Sequence, residues 1–191
     1  MTLYQGLLFA HVVAAIVWVG GATMLQFVAA RAKTRGPQGM LAYGSDMEWI
    51  GKNVLTPAAF AVLAFGVGMV LDAWSFRYDW VLIALALYAI AFGTAMTYFG
   101  HEAQKAKDAL ASGRGDEAAR RIARLTAASR VELAMLYLIV FDMFFKPTFA
   151  DRGLLVWGLG GFAVAAAAAL ARLTTGYGSA SWRPSSSPSI S

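Results

Sequence analysis

The sequence of 191 residues contains no cysteine and only two histidines, and charged residues make up 14% of it. Without cysteine there are no disulfides and no thiolate ligands, so any metal or haem chemistry would rest on histidine, methionine, tyrosine or carboxylates. No phosphate-binding glycine loop, no nucleophile elbow and no His-Glu-x-x-His zinc motif occurs, which excludes the common soluble chemistries built on them. Short alternating strands of the membrane-barrel kind are absent as well. Few midplane polar groups are available, so a transport path through one chain is excluded.

Apolar residues are what the chain has: they form 59% of it, with a mean hydropathy of +0.57. Several uncharged runs reach the ~20 residues that a helix rising ~1.5 Å per residue needs to cross ~30 Å of hydrocarbon. The expected fold is all-α, a polytopic transmembrane bundle with a four-helix core and a fifth, C-terminal span. The spans are placed at residues 3–30, 54–72, 80–100, 131–149 and 153–172, in one transmembrane domain over 1–172. The fourth is the least apolar, because it contains Asp142. The first lacks the basic start of a signal peptide and is too long for one, so it is read as retained.

Of the sixteen lysines and arginines, thirteen fall in 31–53, in 101–130 and from 172 onward; only Arg77, Lys146 and Arg152 fall on the other side. This asymmetry predicts an N-terminus outside, a cytoplasmic C-terminus and a multi-pass protein of the bacterial inner membrane. The net charge of +5 then reflects topology beside anionic lipid, not nucleic-acid binding. Trp74, Tyr78, Trp80 and Trp157 fit an outer aromatic belt and Trp49 an inner one. Residues 101–130 keep helical composition on both sides of Ser112-Gly113-Arg114-Gly115, which predicts a cytoplasmic helical hairpin. The Ser/Pro-rich stretch 173–191 reads as a disordered cytoplasmic tail. The bilayer is the expected partner, and a homo-oligomer or a membrane complex stays open.

Within the spans, His11 is the conspicuous group. It lies ~12 Å below the outer boundary, while His101 is ~20 Å deeper, so the two cannot share an ion or a haem within one chain. Asp142 falls near the level of His11, ten residues beyond Glu132, and Met69 and Met143 lie within a turn or two of it. Imidazole backed by carboxylate is a usual arrangement for a metal-ligating histidine, and it is also a way to make two buried polar groups tolerable. Trp18 is seven residues from His11 and shares its face, with small residues between them. These small residues suit a flat macrocycle or a close neighbouring helix equally. His101, Glu102, Arg130 and Glu132 form a candidate salt-bridged cluster at the inner interface.

Five stretches carry a resemblance: "FAHVVAAIVWVGGATML", "NVLTPAAFAVLAFGVGMVL", "WVLIALALYAIAFGTAM", the basic hairpin, and "VELAMLYLIVFDMFFKP". Over roughly residues 4 to 148 the chain resembles a group of small bacterial membrane proteins. The group includes HemJ-type protoporphyrinogen oxidases, the CopD copper-resistance membrane domain and a related family of uncharacterised predicted integral membrane proteins, to which the resemblance is greatest. It implies that His11 corresponds to a histidine associated with b-type haem. The lysine that the HemJ-type enzymes require near the start of the third helix has no counterpart, since no basic residue stands between Trp80 and His101. Protoporphyrinogen oxidation is therefore not assigned, and whether the chain is an enzyme stays open. Three functions remain: a haem b redox or electron-transfer protein with His11 as axial ligand and Trp18, Met69, Asp142 and Met143 around the cofactor; a non-catalytic scaffold or accessory subunit; and CopD-like copper handling or transport.

Overall fold

The computed structural model describes residues 2–175, and all of the regular structure among them is helical. The first helix, α1, spans Leu3–Thr34 and is opened by a reciprocal cap between Thr2 and Gln5. It buries His11, Ala14, Trp18, Leu25, Ala29 and Ala32. Those positions advance by three, four or seven residues, so they form one narrow stripe along the helix. Phe9, Ile16, Met24 and Phe27 point away from the protein and stay exposed. A helix that is apolar all round and buried along one stripe only is suited to lipid on its other faces.

The stretch left between the first two expected spans, residues 31–53, is mostly helical. Helix α2 spans Gly36–Ile50 and runs through a π turn, Gly51–Leu55, into α3, Thr56–Ala73. Two glycines make the sharp reversal between α1 and α2. Gly36 has φ 73°, a left-handed conformation that glycine adopts without a Cβ clash. A Cβ on Gly39 would come within 2.6 Å of the Ala32 carbonyl oxygen. The π turn precedes Pro57, which has no N–H to offer Asn53 four residues back. Thr56 Oγ1 donates instead to the Gly51 carbonyl at 2.9 Å.

Helix α4, Asp79–Thr94, continues through a second π turn, Ala95–Phe99, into α5, Gly100–Ala111. Thr97 donates its hydroxyl to the Gly93 carbonyl at 2.7 Å within that turn. A three-residue reversal at Ser112–Arg114, with Gly113 at φ 74°, leads to α6, Gly115–Phe145. Helix α6 ends earlier than the expected limit of 149, because Lys146 takes a left-handed φ of 47° and Pro147 follows. Helix α7, Arg152–Thr175, packs on α6, with Gly158 against Phe141 and Leu138. The expected tail begins at 173, inside α7, and from 176 onward it lies outside the described residues.

Among the described residues, three continuous helices are long and apolar enough to cross a membrane: Leu3–Thr34, Gly36–Ala73 and Asp79–Ala111. The expected fourth span lies in α6, whose apolar half carries Arg130, Glu132 and Asp142; the expected fifth lies in α7. One hydrophobic cluster joins α1, α3, α4 and α6 through Ala14, Trp18, Ala59, Val62, Tyr88, Ala91 and Leu136. A second joins α1, α2, α5 and α6 through Leu25, Ala29, Tyr43, Ala106 and Ile122. The helices run antiparallel, so the start of α1, residues 74–79 and residues 146–152 share one end, rich in aromatics. The α1–α2 and α5–α6 reversals share the other, basic end.

Candidate functional site

His11 sits eight residues into α1, about 12 Å from its start, and is 8% exposed. Its Nδ1 lies 2.8 Å from the carbonyl oxygen of Val62 on α3. A carbonyl can only accept, so Nδ1–H is the donor. In the neutral ring the lone pair is then on Nε2, and the one hydrogen bond of the ring among the described residues is that through Nδ1. The imidazole reaches a main-chain carbonyl inside a neighbouring helix because Gly66 leaves the space free. A Cβ there would stand 3.1 Å from His11 Cε1 and 3.3 Å from Nδ1.

Seven residues on, Trp18 is buried and meets Tyr88 edge to face, with ring centroids 5.5 Å apart. Tyr88 donates its hydroxyl to the Ala59 carbonyl at 3.1 Å and stacks on Phe92, which meets Phe60. These rings fill the space between α3 and α4. Farther along, Thr23 bonds to Tyr137 at 2.9 Å, Gln26 donates to Ser129 at 2.8 Å, and Arg130 donates to Gln26. This polar seam fixes the register of α1 on α6.

Asp142 is 2% exposed, and neither carboxylate oxygen has a hydrogen-bond partner among the described residues. His11 and Asp142 therefore occupy the same half of the bundle without a hydrogen bond between them. Met69 is buried and Met143 half-buried, and neither makes a hydrogen bond among the described residues. Among the described residues no group of three His, Asp or Glu side chains could hold a metal ion. A groove of about 360 Å³ between α1 and α2 is lined by Gly21, Leu25, Tyr43 and Trp49. It lies toward the basic end, ten or more residues along α1 from His11.

The aromatic end is closed by contacts that sequence reasoning missed. Trp74 donates its indole N–H to Tyr4 at 3.3 Å, and the ammonium of Lys146 lies 4.3 Å from the Trp74 ring centre and 5.3 Å from that of Trp80. Phe149 N–H donates to Asp79 at 2.9 Å. The belt tryptophans were visible as interfacial residues, but nothing in the spacing pointed to Lys146 between two of them. At the basic end, the expected cluster is redistributed. Glu102 pairs with Lys105 at 2.7 Å and Arg121 at 3.3 Å, and Arg121 also pairs with Glu117 at 2.9 Å, while Arg130 turns to Gln26. The antiparallel register of α5 on α6 brings 102 opposite 121, not 130. Hydrogen bonds from Lys105 to Glu102 and from Arg121 to Glu117 hold both carboxyls below their ordinary range.

Residues 5–147 match the family described as "Predicted integral membrane protein (DUF2269)", and the chain belongs to that family. No curated protein and no solved structure matches the chain.

Proposed function

We propose that this integral membrane protein binds a b-type haem through His11 and serves a redox or electron-transfer role in the bacterial inner membrane. One observation carries the reading: His11 gives its Nδ1–H to the Val62 carbonyl and keeps Nε2 without a partner, deep in an apolar helix. A metal-ligating histidine is commonly held this way, with the backbone bond fixing ring orientation and the tautomer. A haem needs one or two protein ligands, so a lone imidazole with the thioethers Met69 and Met143 in the same half is a sufficient donor set. A copper ion would draw on the same imidazole and thioethers, and among the described residues no cluster of three His, Asp or Glu side chains adds to them. Bound haem would supply one-electron chemistry; the chain's own contribution is to orient the imidazole through Val62 and Gly66 and to exclude water with Trp18, Tyr88 and the surrounding alanines.

The topology belongs to the same reading. Helices α1, α3, α4 and the apolar half of α6 form the membrane core, α7 is the fifth span, and the basic end faces the cytoplasm, as the bias of lysine and arginine supports. The N-terminus is then outside, and lipid covers the exposed apolar faces.

A second reading, a non-catalytic scaffold, is favoured by the close packing of His11 on Gly66 and by the position of the groove away from it. There the imidazole is a bond joining α1 to α3. An absorption spectrum of the detergent-purified protein, produced with ample haem, separates the two. A Soret band that is lost in His11→Ala while the protein stays folded supports haem, whereas no Soret band in the wild type leaves the scaffold.

A further inference from the structure

We propose that the groove between α1 and α2 is a site for one phospholipid with a primary-amine headgroup, a phosphatidylethanolamine, drawn from the membrane leaflet at the basic end. The groove, about 360 Å³ in volume, is lined by Gly21, Met24 and Val28 on α1 and by Asp46, Trp49 and Ile50 on α2. Its place along the chain decides what can fill it. Counted from Leu3, Gly21 lies ~27 Å and Val28 ~38 Å along α1, so the groove straddles the edge of a hydrocarbon layer ~30 Å thick. Met24, Val28 and Trp49 are exposed there, and the groove opens sideways to lipid.

The charges identify the headgroup. Asp46 is the one charged residue of the lining, and it makes no hydrogen bond or ion pair among the described residues. The other carboxylate of α2, Glu48, is taken by Lys107. An ammonium in the groove donates to the Asp46 carboxylate and meets the indole of Trp49, three residues on, whose ring face attracts a cation. Arg31 supplies the other half. It is exposed, it stands seven residues past Met24 and so on the same face of α1, and its guanidinium is unengaged among the described residues. Helical side chains lean toward the N-terminus of their own helix. On antiparallel α1 and α2 this carries Arg31 toward the membrane and Asp46 away from it, so acid and base converge on one headgroup. A lipid with its phosphate on Arg31, its ammonium on Asp46 and a chain along Gly21, Met24 and Ile50 satisfies both charges. A choline headgroup has no N–H to give Asp46, and a glycerol headgroup has no cation. The site is separate from His11 and independent of whether His11 takes a haem.

Native mass spectrometry and thermal melting test it on the full-length protein, stripped of lipid in detergent and given phosphatidylethanolamine, phosphatidylcholine or phosphatidylglycerol of one chain length. The expected result is one phosphatidylethanolamine per chain, retained under activation that removes the other two. At about five times its Kd it should raise the melting temperature by about 2–4 °C. Asp46→Asn, at an exposed residue without a partner, should keep the fold and lose the preference. The comparison of the three lipids on the unaltered protein stands even if that variant fails to fold. Three results overturn the proposal: equal retention of the three lipids; stronger retention of phosphatidylglycerol, which marks a surface for anionic lipid only; or a preference for phosphatidylethanolamine that persists in Asp46→Asn, which puts the headgroup elsewhere.

Discussion

The imidazole of His11 and the missing side chain of Gly66 form one arrangement. A methyl group at Gly66 would press on Cε1 at 3.1 Å, and the ring can yield only by leaving the Val62 carbonyl. Gly66→Ala should therefore destabilise the protein by about 1 kcal/mol, the net worth of a buried hydrogen bond, read as a lower melting temperature in detergent. Gly68→Ala is the control, because its Cβ would meet only the Leu7 side chain, at 3.3 Å. Equal melting temperatures for the two variants would show that the His11 bond contributes nothing. Tyr88→Phe removes the hydroxyl bond to Ala59 and leaves that carbonyl its helical partner, so a similar loss of about 0.5–1.5 kcal/mol is expected in the same assay. Of this site the sequence showed which groups are ionisable and how deep they lie. Depth follows from residue count, but partners follow from helix rotation, and no pattern of residues revealed that His11 turns to a backbone carbonyl while Asp142 turns to nothing.

At the scale of elements, apolar runs announced the helices, whereas α2 stayed hidden. Residues 31–53 are polar and rich in glycine, and α2 is helical because its buried face, Met40 and Tyr43, joins a cluster supplied by α1, α5 and α6. Those contacts are between distant parts of the chain, so local composition cannot report them. The reversal before α2 is correspondingly exacting. Gly39→Ala would set a Cβ against the Ala32 carbonyl, which is backbone and cannot swing aside, so a loss of more than about 1 kcal/mol is expected. Gly44→Ala meets the Ile122 side chain, Cδ1 at 2.5 Å and Cγ1 at 3.1 Å, which can rotate where backbone cannot, and should cost less; the order of their denaturation midpoints checks this. The α5–α6 hairpin carries a pH dependence of definite sign. Glu102 and Glu117 are held below the ordinary value of 4.5, first by hydrogen bonds from Lys105 and Arg121. Their contribution is then fully present above pH 4.5 and lost as pH falls through the lowered folded values. Hydrogen exchange in 100–125 should accelerate relative to α1 on acidification through that range, and Glu117→Gln should flatten the change.

Over the whole molecule the two ends differ in kind, and the difference bears on orientation. The aromatic end gathers Tyr4, Trp74, Tyr78 and Trp80 around a single lysine. The basic end carries an ion-paired helical hairpin with Arg114, Arg121 and Lys107 engaged by Glu117, Glu102 and Glu48. Interfacial tryptophan fits either side of a bilayer, so the aromatics do not choose between the two orientations; the excess of lysine and arginine does. A chain without cysteine makes the choice directly measurable. Ser75→Cys, at the aromatic end, should react with a membrane-impermeant maleimide in cells whose outer membrane alone has been opened, and Ala111→Cys, at the basic end, only after the inner membrane is broken. The reverse pattern would invert the bundle. His11 would then lie in the cytoplasmic half of the membrane, nearer to cytoplasmic than to periplasmic electron donors.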